Sequence, residues 1–466
     1  MSNNNIFLEN LKKFNNKKAL ILESGQIITY NQLVKETCLL SRKLSGDKKK
    51  LVFLLGENNF ETIVGYLAFI KKGFSIAILD SKINDFFLKN LIKLYKPSFI
   101  FCSKKKNLEK FKKIINFKSF ALNQNFNQKE YKINKDLMLL MSTSGTTGSP
   151  KFVRQSYLNV TFNTRSIVKY LKINNKDITI TSLPFSYVYG LSIINSHLYS
   201  GSTIVLTNKS IIEKEFWELI KKFKVNNFSG VPYSYSIIEK IGIKDLPNSF
   251  KYTTQAGGKM NHELINKIIN IYTKKKIKFI QMYGSAEATS RMSYLSWRHS
   301  KKKIGSIGKP IPGGKFTLRD IRGKIIKRNF TKGELVYQGK NVCLGYANNV
   351  NDLSLPDINK EILYTGDIAY RDKEGFYFII GRKNRYAKIF GIRVNLAELE
   401  TLFLKKGIDV VLKEGKENKI EVYNNNMGKI KKIIKNIGKL TRINVNVFQT
   451  KKFLKKHLTM NFKYKV

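Results

Sequence analysis

The sequence predicts an α/β fold, α+β overall, in which a large α/β region precedes a β-rich segment and a small C-terminal region. Strand and helix patterns alternate between residues 51 and 95, and again after Lys151. After residue 305, glycines punctuate short β segments, which indicates a small β-rich unit. From Gly381 onward the chain is Lys-rich, with mixed helix and strand patterns.

The first predicted elements are a hairpin and an alternating series. Apolar runs flank the Ser24-Gly25 turn within residues 17–30, which predicts the hairpin. The next segments alternate between helical periodicity and short apolar runs: helices at 31–44, 60–71 and 85–95, strands at 51–55 and 75–79. This alternation is typical of a sheet with parallel strands.

The same alternation continues further along the chain. It predicts strands at 178–182, 202–206 and 279–282 and a helix at 213–223. The C-terminal region is predicted to contain a helix at 396–405 and strands at 419–423 and 444–448.

The charge of the chain is its most unusual property. Its 466 residues include 85 Lys and Arg against 33 Asp and Glu, a net charge of +52. Hydrophobic residues make up 42%, so the chain can build cores and is not a disordered basic tail. The basic residues are mostly Lys and are spread along the whole chain, whereas nucleic-acid readout favours clustered Arg. We therefore expect no nucleic-acid partner and attribute the excess Lys to compositional bias.

The cysteines, histidines and apolar segments predict a reducing compartment and argue against a metal cluster, a signal peptide and a membrane span. The three cysteines (Cys38, Cys102, Cys343) lie far apart, which favours free thiols in a reducing compartment. The four histidines are equally dispersed and predict no metal cluster. The N-terminus lacks the apolar core of a signal peptide, and the apolar run 62–70 is too short to span a bilayer. We expect a cytoplasmic protein without stable membrane insertion.

The strongest local motif runs from Met141 to Lys151 and follows the apolar strand 137–141. It contains six hydroxyl residues, two glycines, a proline and a lysine. Glycines let backbone N–H groups approach an anion, hydroxyls donate hydrogen bonds, and Lys151 adds charge. The pattern lacks the Gly-Lys-Ser/Thr of a Walker loop. It predicts a phosphate-binding loop rather than an ordinary Ser/Thr/Gly turn.

This run, STSGTTGSPK, resembles the phosphate loop of the acyl-adenylate-forming (AMP-binding) superfamily, which includes acyl-CoA synthetases, stand-alone adenylation domains and luciferases. Further segments resemble that family's motifs in its order, from about residue 17 to the end of the chain. They are LPFSYVYGL (183–191), QAGG (255–258), YGSAE (283–287), YTGD (364–367), GRKNRYAKIFGIRVNLAELE (381–400) and TMNFK (459–463).

The resemblance implies a domain layout. Residues 1–380 would form a large N-terminal AMP-binding domain of stacked α/β sheets, with a β-rich subdomain at about 305–380. Residues 381–466 would form a small, mobile α+β lid domain with its hinge near Asn384, where the family commonly has Asp or Lys.

The resemblance also implies the reaction: a carboxylate attacks the α-phosphate of ATP, pyrophosphate leaves, and a thiol captures the acyl group. The cofactors would be ATP, Mg²⁺ and CoA, or the phosphopantetheine arm of a carrier protein. Glu287 would hold Mg²⁺, Lys463 would bridge the carboxylate and the α-phosphate, and Lys388 would serve thioester formation. The nucleotide would contact Ser142, Thr143, Ser144, Gly145, Thr146, Thr147, Gly148, Lys151, Gly257, Gly258, Tyr283, Gly284, Ser285, Asp367 and Arg382.

Within that list, the resemblance gives individual residues distinct tasks. The loop from Ser142 to Lys151 would hold the β- and γ-phosphates, and Tyr283 would stack on adenine. Asp367 would accept hydrogen bonds from the ribose hydroxyls, which suits an ionised carboxylate, and Arg382 would be the second ribose contact.

The acid pocket would include Tyr187, Tyr189 and Val231. Amino-acid-activating relatives usually hold the α-ammonium with an Asp in this region, and residues 185–189 contain no carboxylate. Because an unpaired buried ammonium is costly, we expect a carboxylic acid without an α-amine. Tyr187 stands where acyl-activating relatives often have His.

Two departures leave alternatives open. Ala286 replaces the family's Thr, and Phe462 replaces the usual Gly before the catalytic lysine. The leading hypothesis is an acyl-CoA synthetase; the alternatives are a ligase that loads an acidic acyl carrier protein and a catalytically impaired nucleotide-binding homologue. The basic surface would attract CoA and a carrier protein alike.

Overall fold

The computed structural model describes residues 6–44, 46, 48–127, 130–142, 151–383, 386–389, 392–415, 417–424, 427–441 and 443–452. The predicted loop residues Thr143, Ser144, Gly145, Thr146, Thr147 and Gly148 lie outside these ranges, as do the hinge residue Asn384 and the predicted catalytic residue Lys463.

Each helix in the described residues is too short or too polar to cross a lipid bilayer. They are α1 Ile6–Lys12, α2 Tyr30–Arg42, α3 Phe60–Lys72, α4 Asp85–Tyr95, α5 Tyr157–Leu171, α6 Val188–Tyr199, α7 Lys214–Lys222, α8 Pro232–Asp245, α9 His262–Lys274, α10 Leu396–Lys405 and α11 Met427–Thr441. The predicted helices at 31–44, 60–71, 85–95, 213–223 and 396–405 are confirmed.

The strands are mostly short. They are β1 Lys18–Ile21, β2 Ile27–Thr29, β3 Leu51–Gly56, β4 Ser75–Asp80, β5 Phe99–Ser103, β6 Lys112–Phe117, β7 Phe120–Gln124, β8 Leu137–Ser142, β9 Phe152–Ser156, β10 Ile178–Ile180, β11 Thr203–Val205, β12 Asn227–Gly230, β13 Tyr252–Gln255, β14 Lys278–Tyr283, β15 Ser293–Leu295, β16 Lys309–Pro310, β17 Lys315–Arg319, β18 Gly333–Gln338, β19 Tyr346–Ala347, β20 Ile362–Arg371, β21 Tyr377–Arg382, β22 Tyr386–Ile389, β23 Ile392–Asn395, β24 Val411–Glu414, β25 Ile420–Tyr423 and β26 Phe448–Lys451.

One sheet has eight strands in the order β19-β9-β8-β4-β3-β5-β7-β6. Its centre is parallel: β4 pairs with β3 and β8, and β3 pairs with β5. Every residue of β3 is buried, as its unbroken apolar sequence predicts for a strand covered on both faces. At one edge, β9 runs antiparallel to β8, so the predicted phosphate loop joins two adjacent strands.

The second sheet has nine strands in the order β16-β15-β14-β13-β12-β10-β11-β1-β2. The predicted hairpin is confirmed as β1 and β2, which form the edge of this sheet. Strands β12, β13 and β14 are adjacent and parallel. One apolar core contains residues of both sheets, such as Ile204 and Ile76, together with Leu33, Ile63 and Leu191 from helices α2, α3 and α6.

The described chain divides into two compact units. One comprises the residues up to 316 together with 337–363, and the other comprises 317–336 together with the residues from 364 onward. Both large sheets belong to the first unit. The sheet β17-β18-β20-β21 lies mainly in the second, with β22-β23 and β24-β25-β26. This division places part of the predicted β-rich subdomain with the C-terminal residues, and the boundary at residue 381 stays a prediction.

The C-terminal strands match the prediction at one of two places. The strand predicted at 419–423 is confirmed as β25. The strand predicted at 444–448 begins only at Phe448, because a 3₁₀ turn occupies Val445–Val447. The side chain of Asn444 accepts a hydrogen bond from the backbone N–H of Asn446 at 3.0 Å, and this bond favours the turn over an extended chain.

A buried arginine on β9 holds residues 344–356 in place. This segment belongs to the first unit and follows residues 317–336, which belong to the second. Arg154 is 0% exposed, and its guanidinium donates to the backbone carbonyls of Tyr346 at 3.1 Å and Leu355 at 2.6 Å. It also donates to Leu344 at 2.7 Å and Pro356 at 3.1 Å. All four acceptors are backbone carbonyls between residues 344 and 356, so one guanidinium ties this segment to β9. Two of these carbonyls also accept from other donors: Leu344 from the backbone N–H of Ile358 and Leu355 from the Asn134 side chain.

We expect Arg154→Met to destabilise the first unit by about 3 kcal/mol, because four charge-assisted hydrogen bonds between β9 and residues 344–356 are lost at once. The midpoint of urea unfolding measures this. Arg165→Met is the matched control: Arg165 is exposed on α5, donates to the Tyr199 hydroxyl at 3.1 Å and lies over the Tyr199 ring, so we expect a change within about 0.5 kcal/mol. Equal shifts for the two variants would contradict this role of Arg154.

Candidate active site

Three predicted site residues directly follow the ends of adjacent parallel strands. Val231 follows β12, Gly257 comes two residues after β13, and Gly284 follows β14. Since the carboxyl ends of parallel strands lie at one edge of a sheet, the loops after them form a common crevice, which is where ligands bind in open α/β sheets.

The predicted acid pocket is brought together at this edge. Gly257 has φ +80°, and a Cβ built on it would lie 2.5 Å from the Tyr187 hydroxyl and 3.1 Å from Val231 Cγ1. The Tyr189 ring packs edge-on to Tyr187 with centroids 6.2 Å apart. The Tyr189 hydroxyl donates to the backbone oxygen of Thr254 at 3.0 Å. The structure therefore places Tyr187, Tyr189, Val231 and Gly257 in one cluster.

The two tyrosines present neutral phenols. Burial raises the pKa of Tyr187 to about 12 and also raises the pKa of Tyr189. Neither group can act as a base near neutral pH. Their chemical contribution is an aromatic wall and hydroxyls that donate or accept hydrogen bonds.

Glycine is required twice in the crevice. Gly257 needs its positive φ, and its loop is held by the Gln255 side chain, which donates to the Gly258 carbonyl at 2.7 Å. A Cβ on Gly284 would overlap the carbonyl oxygen of Ser290. The predicted nucleotide-binding residues Gly257, Gly258, Gly284 and Ser285 all lie in the loops after β13 and β14, at the crevice, and their roles stay predictions.

The predicted phosphate and magnesium residues meet around a tyrosine. Lys151 is the last residue of the predicted phosphate loop and directly precedes β9, and its Nζ is 4.1 Å from the centroid of the Tyr346 ring. The Tyr346 hydroxyl donates to Glu287 Oε1 at 2.8 Å. Ser142 ends β8 at the other side of the loop and is exposed. A cation and a carboxylate predicted from separate motifs thus share one neighbour.

Glu287 is held by its backbone and leaves its side chain at the surface of the crevice. It lies in a 3₁₀ turn, Ala286–Ala288. Gln155 of β9 donates to the Ala286 carbonyl at 2.9 Å, and the Cys343 backbone donates to the Glu287 carbonyl at 2.8 Å. Within the described ranges, His, Cys, Asp and Glu nowhere gather in threes suited to a metal ion. A cation at Glu287 would therefore take its other ligands from substrate and water.

Tyr346 is a residue that the motif analysis missed. It pairs with Val153 across β19 and β9, and this pairing carries its ring to Lys151. The preceding Gly345 has φ +111°, and a Cβ on it would approach the Arg154 guanidinium at 3.2 Å. In the sequence around Tyr346, only the Gly345-Tyr346 pair indicates a special position. This pair does not show that the strand it belongs to pairs with β9.

The predicted adenosine contacts lie in both units and are described separately. In the first, the Tyr283 ring is partly buried, with its centroid 6.4 Å from that of Phe316. In the second, Asp367 and Arg382 are opposite one another in the β20–β21 register, and Arg382 Nε donates to Asp367 Oδ1 at 2.6 Å. Asp367 is buried, whereas the Arg382 side chain is 46% exposed. The two side chains are thus in contact, and the ribose role stays a prediction.

The predicted catalytic lysines are not tested by the described contacts. Lys388 lies in β22, opposite Arg393 of β23. Lys463 lies outside the described residues. Both roles remain predictions.

The close contact between Gly257 and Tyr187 can be tested by a double-mutant cycle. We expect Gly257→Ala to lower the free energy of unfolding by about 2 kcal/mol or more, because Ala is strained at positive φ and its Cβ meets the Tyr187 hydroxyl. Tyr187→Phe removes that hydroxyl, so it should restore part of the loss while the backbone strain persists. Urea unfolding of the two single variants and the double variant measures the coupling. Purely additive effects would refute the contact.

The chain is similar to known proteins in sequence and in fold. The sequence profile of the family described as "AMP-binding enzyme" matches residues 7–347. The chain is 31% identical over 283 residues to the 2-succinylbenzoate--CoA ligase of Geobacillus sp. (strain WCH70), which covers 60% of this chain and 56% of the relative. The matched segment thus spans little more than half of that relative's length. With the same-named ligase of Bacillus pumilus (strain SAFR-032), identity is 26% over 386 residues, covering 81% of this chain and 77% of the relative.

The fold is shared with solved structures. The O-succinylbenzoate coenzyme A synthetase of Bacillus subtilis in complex with AMP is similar with a TM-score of 0.75 and 22% identity, covering 96% of this chain and 95% of that chain. This likeness confirms the predicted fold class of a large α/β domain followed by a small α+β domain. Together with the profile match over residues 7–347, it shows that the chain belongs to the family of AMP-binding enzymes.

Proposed function

We propose that the chain is an acid–CoA ligase. In the first step an oxygen of the substrate carboxylate attacks the α-phosphorus of ATP, and the bond to pyrophosphate breaks. In the second, the CoA sulfur attacks the acyl carbon, AMP leaves, and the thiol gives up its proton. Both steps bring anions together, so the site has to neutralise charge more than transfer protons.

The observation that carries the proposal is the arrangement of Lys151, Tyr346 and Glu287. Lys151 supplies positive charge at the phosphate loop, and Glu287 supplies a carboxylate oxygen, the ligand type that Mg²⁺ prefers. When bound, Mg²⁺ would neutralise charge on the phosphates. A single carboxylate fits this ion, because Mg²⁺ usually keeps several waters and binds through one or two carboxylates together with substrate phosphates. Tyr346 orients both side chains.

The other predicted site residues would bind the nucleoside or serve one of the two steps. Tyr283 would bind adenine, and Asp367 with Arg382 would bind the ribose. Lys463 would serve adenylation, Lys388 thioester formation, and a hinge near Asn384 would exchange them as residues 381–466 move. Support for these roles comes from the motifs and, for Asp367 and Arg382, from their contact.

CoA is favoured over a carrier protein because the relatives are named as CoA ligases. Their named acid, 2-succinylbenzoate, has no α-amine, in agreement with a pocket segment that lacks a carboxylate. It is therefore the first acid to test. A location in the cytoplasm, where ATP and CoA are abundant, fits the proposal.

An acid panel tests the reaction. Purified protein is incubated with ATP, Mg²⁺ and 2-succinylbenzoate, other aromatic and aliphatic acids, or amino acids. We expect pyrophosphate release with at least one acid that lacks an α-amine, and a CoA thioester detectable by mass spectrometry. A thioester formed only on an acyl carrier protein would favour the carrier-protein ligase. Absence of pyrophosphate release with every acid would favour the impaired homologue.

The two lysines should separate the half-reactions. Because Lys463 would neutralise charge in the first step, we expect Lys463→Ala to slow pyrophosphate release by about 100-fold or more. Lys388→Ala should leave pyrophosphate release within a few-fold and slow thioester formation. Lys452→Ala, at an exposed lysine near the end of the described chain, is the matched control and should change neither. Equal losses of both steps in Lys388→Ala would rule out separate roles.

A further inference from the structure

A second buried arginine, Arg291, lies beside the acid pocket and has no role in the family motifs. It is 1% exposed. Its guanidinium carbon lies 4.3 Å from the centroid of the Tyr189 ring. Nε donates to the Ser290 hydroxyl at 3.1 Å, and the two terminal nitrogens donate to the Tyr170 hydroxyl at 3.3 Å, to the Ser192 hydroxyl at 3.0 Å and to the Met282 sulfur.

These contacts leave the charge of Arg291 uncompensated. A guanidinium stays protonated, and burying it without an anion is costly. Its acceptors are three neutral hydroxyls and a thioether, which is a weak acceptor. No aspartate or glutamate within the described ranges forms an ion pair with it.

Arg154 provides an internal comparison. It is equally buried, but its donors all reach backbone carbonyls, whose dipoles compensate the charge and close a loop. Arg291 closes no such loop with its side chain. The same residue type at the same burial thus has a structural explanation at one position and lacks it at the other.

The position of Arg291 connects it to the pocket. Tyr189 and Met282, which it contacts, belong to one apolar cluster with Leu183 and Ala256, and Tyr187 and Val231 pack against that cluster. The positive charge of Arg291 acts on both pocket tyrosines. Burial raises the pKa of Tyr187 and of Tyr189, and the nearby guanidinium partly offsets this rise. A ligand group that reached past Tyr187 and Tyr189 would meet a desolvated cation.

We propose that Arg291 binds a second negative charge on the substrate, so that the pocket selects acids with an anionic group besides the carboxylate that is activated. The proposal rests on the proposed function and adds its substrate class: dianionic acids with an aromatic or apolar body. Because Arg291 is buried, its attraction for a second negative charge is weakly screened. An acid that lacks the second charge gains nothing from the guanidinium, which stays without an anion as in the free protein.

Two acids that differ by one carboxylate test the selection in the unmodified protein. 2-Succinylbenzoate carries the second carboxylate on its ring, and 4-oxo-4-phenylbutanoate is the same acid without it. We expect kcat/KM for pyrophosphate release to be at least about 100-fold higher for the diacid. A ratio near one, or a preference for the monoacid, would overturn the proposal.

Substitutions then assign the selection to this residue. Arg291→Met should lower kcat/KM for the diacid by about 100-fold and change that for the monoacid by less than about threefold. The ratio of kcat/KM between diacid and monoacid should therefore fall to near one. Arg291→Lys keeps a charge and should retain part of the preference, which also covers the case in which the Met variant fails to fold. A ratio that survives in Arg291→Met, or an equal loss for both acids, would contradict binding of the second charge.

Arg154→Met is the control for loss of a buried arginine. Assayed below its unfolding midpoint, it should lower the two rates by the same factor and leave their ratio unchanged. The experiment also separates the two proposals. If no acid releases pyrophosphate, the ligase function fails; if monoacids are activated as well as diacids, the function stands and the role of Arg291 fails.

Discussion

Polar side chains on a fully buried strand have to find hydrogen-bond partners inside the protein, and the arrangement of the site depends on how β9 satisfies this constraint. Every residue of β9 is buried, although it includes Arg154, Gln155 and Ser156. Arg154 bonds the loop around Tyr346, Gln155 bonds Ala286 beside Glu287, and Ser156 caps α5 through reciprocal bonds with Asn159. One strand after the phosphate loop therefore fixes the residues proposed to act on the phosphates.

The sequence predicted the parts of this arrangement that depend on local patterns. Apolar runs identified β3, β4 and β8 of the eight-stranded sheet. A residue after a parallel strand end is bound to lie at the crevice, as Gly284 does after the strand predicted at 279–282. Tyr346 and Arg291 could not be recognised in this way. Their significance depends on contacts with residues far away in the sequence: Tyr346 pairs with Val153, and Arg291 contacts Tyr170 and Ser192. Burial of a charge is a property of such contacts and has no local signature.

The proposed acid pocket combines two kinds of polar group with different effects. The phenols of Tyr187 and Tyr189 remain neutral because burial raises the pKa of each, so they can contact many acids at little cost. Arg291 remains charged whatever the ligand. The hydroxyls therefore tolerate variety, whereas the guanidinium imposes a charge requirement. Through this difference, a pocket lined mainly by aromatic rings would be selective for charge.

The same distinction explains what the net charge of +52 can and cannot do. ATP, CoA and a dianionic acid are all anions, and exposed lysines raise the local concentration of each of them. Salt screens such charges over about 10 Å, and their attraction does not depend on which anion arrives. A buried cation is screened far less and is reached only by a ligand of the right shape. Attraction therefore comes from the many exposed lysines, and discrimination among the attracted anions is the task that we propose for a buried charge such as Arg291.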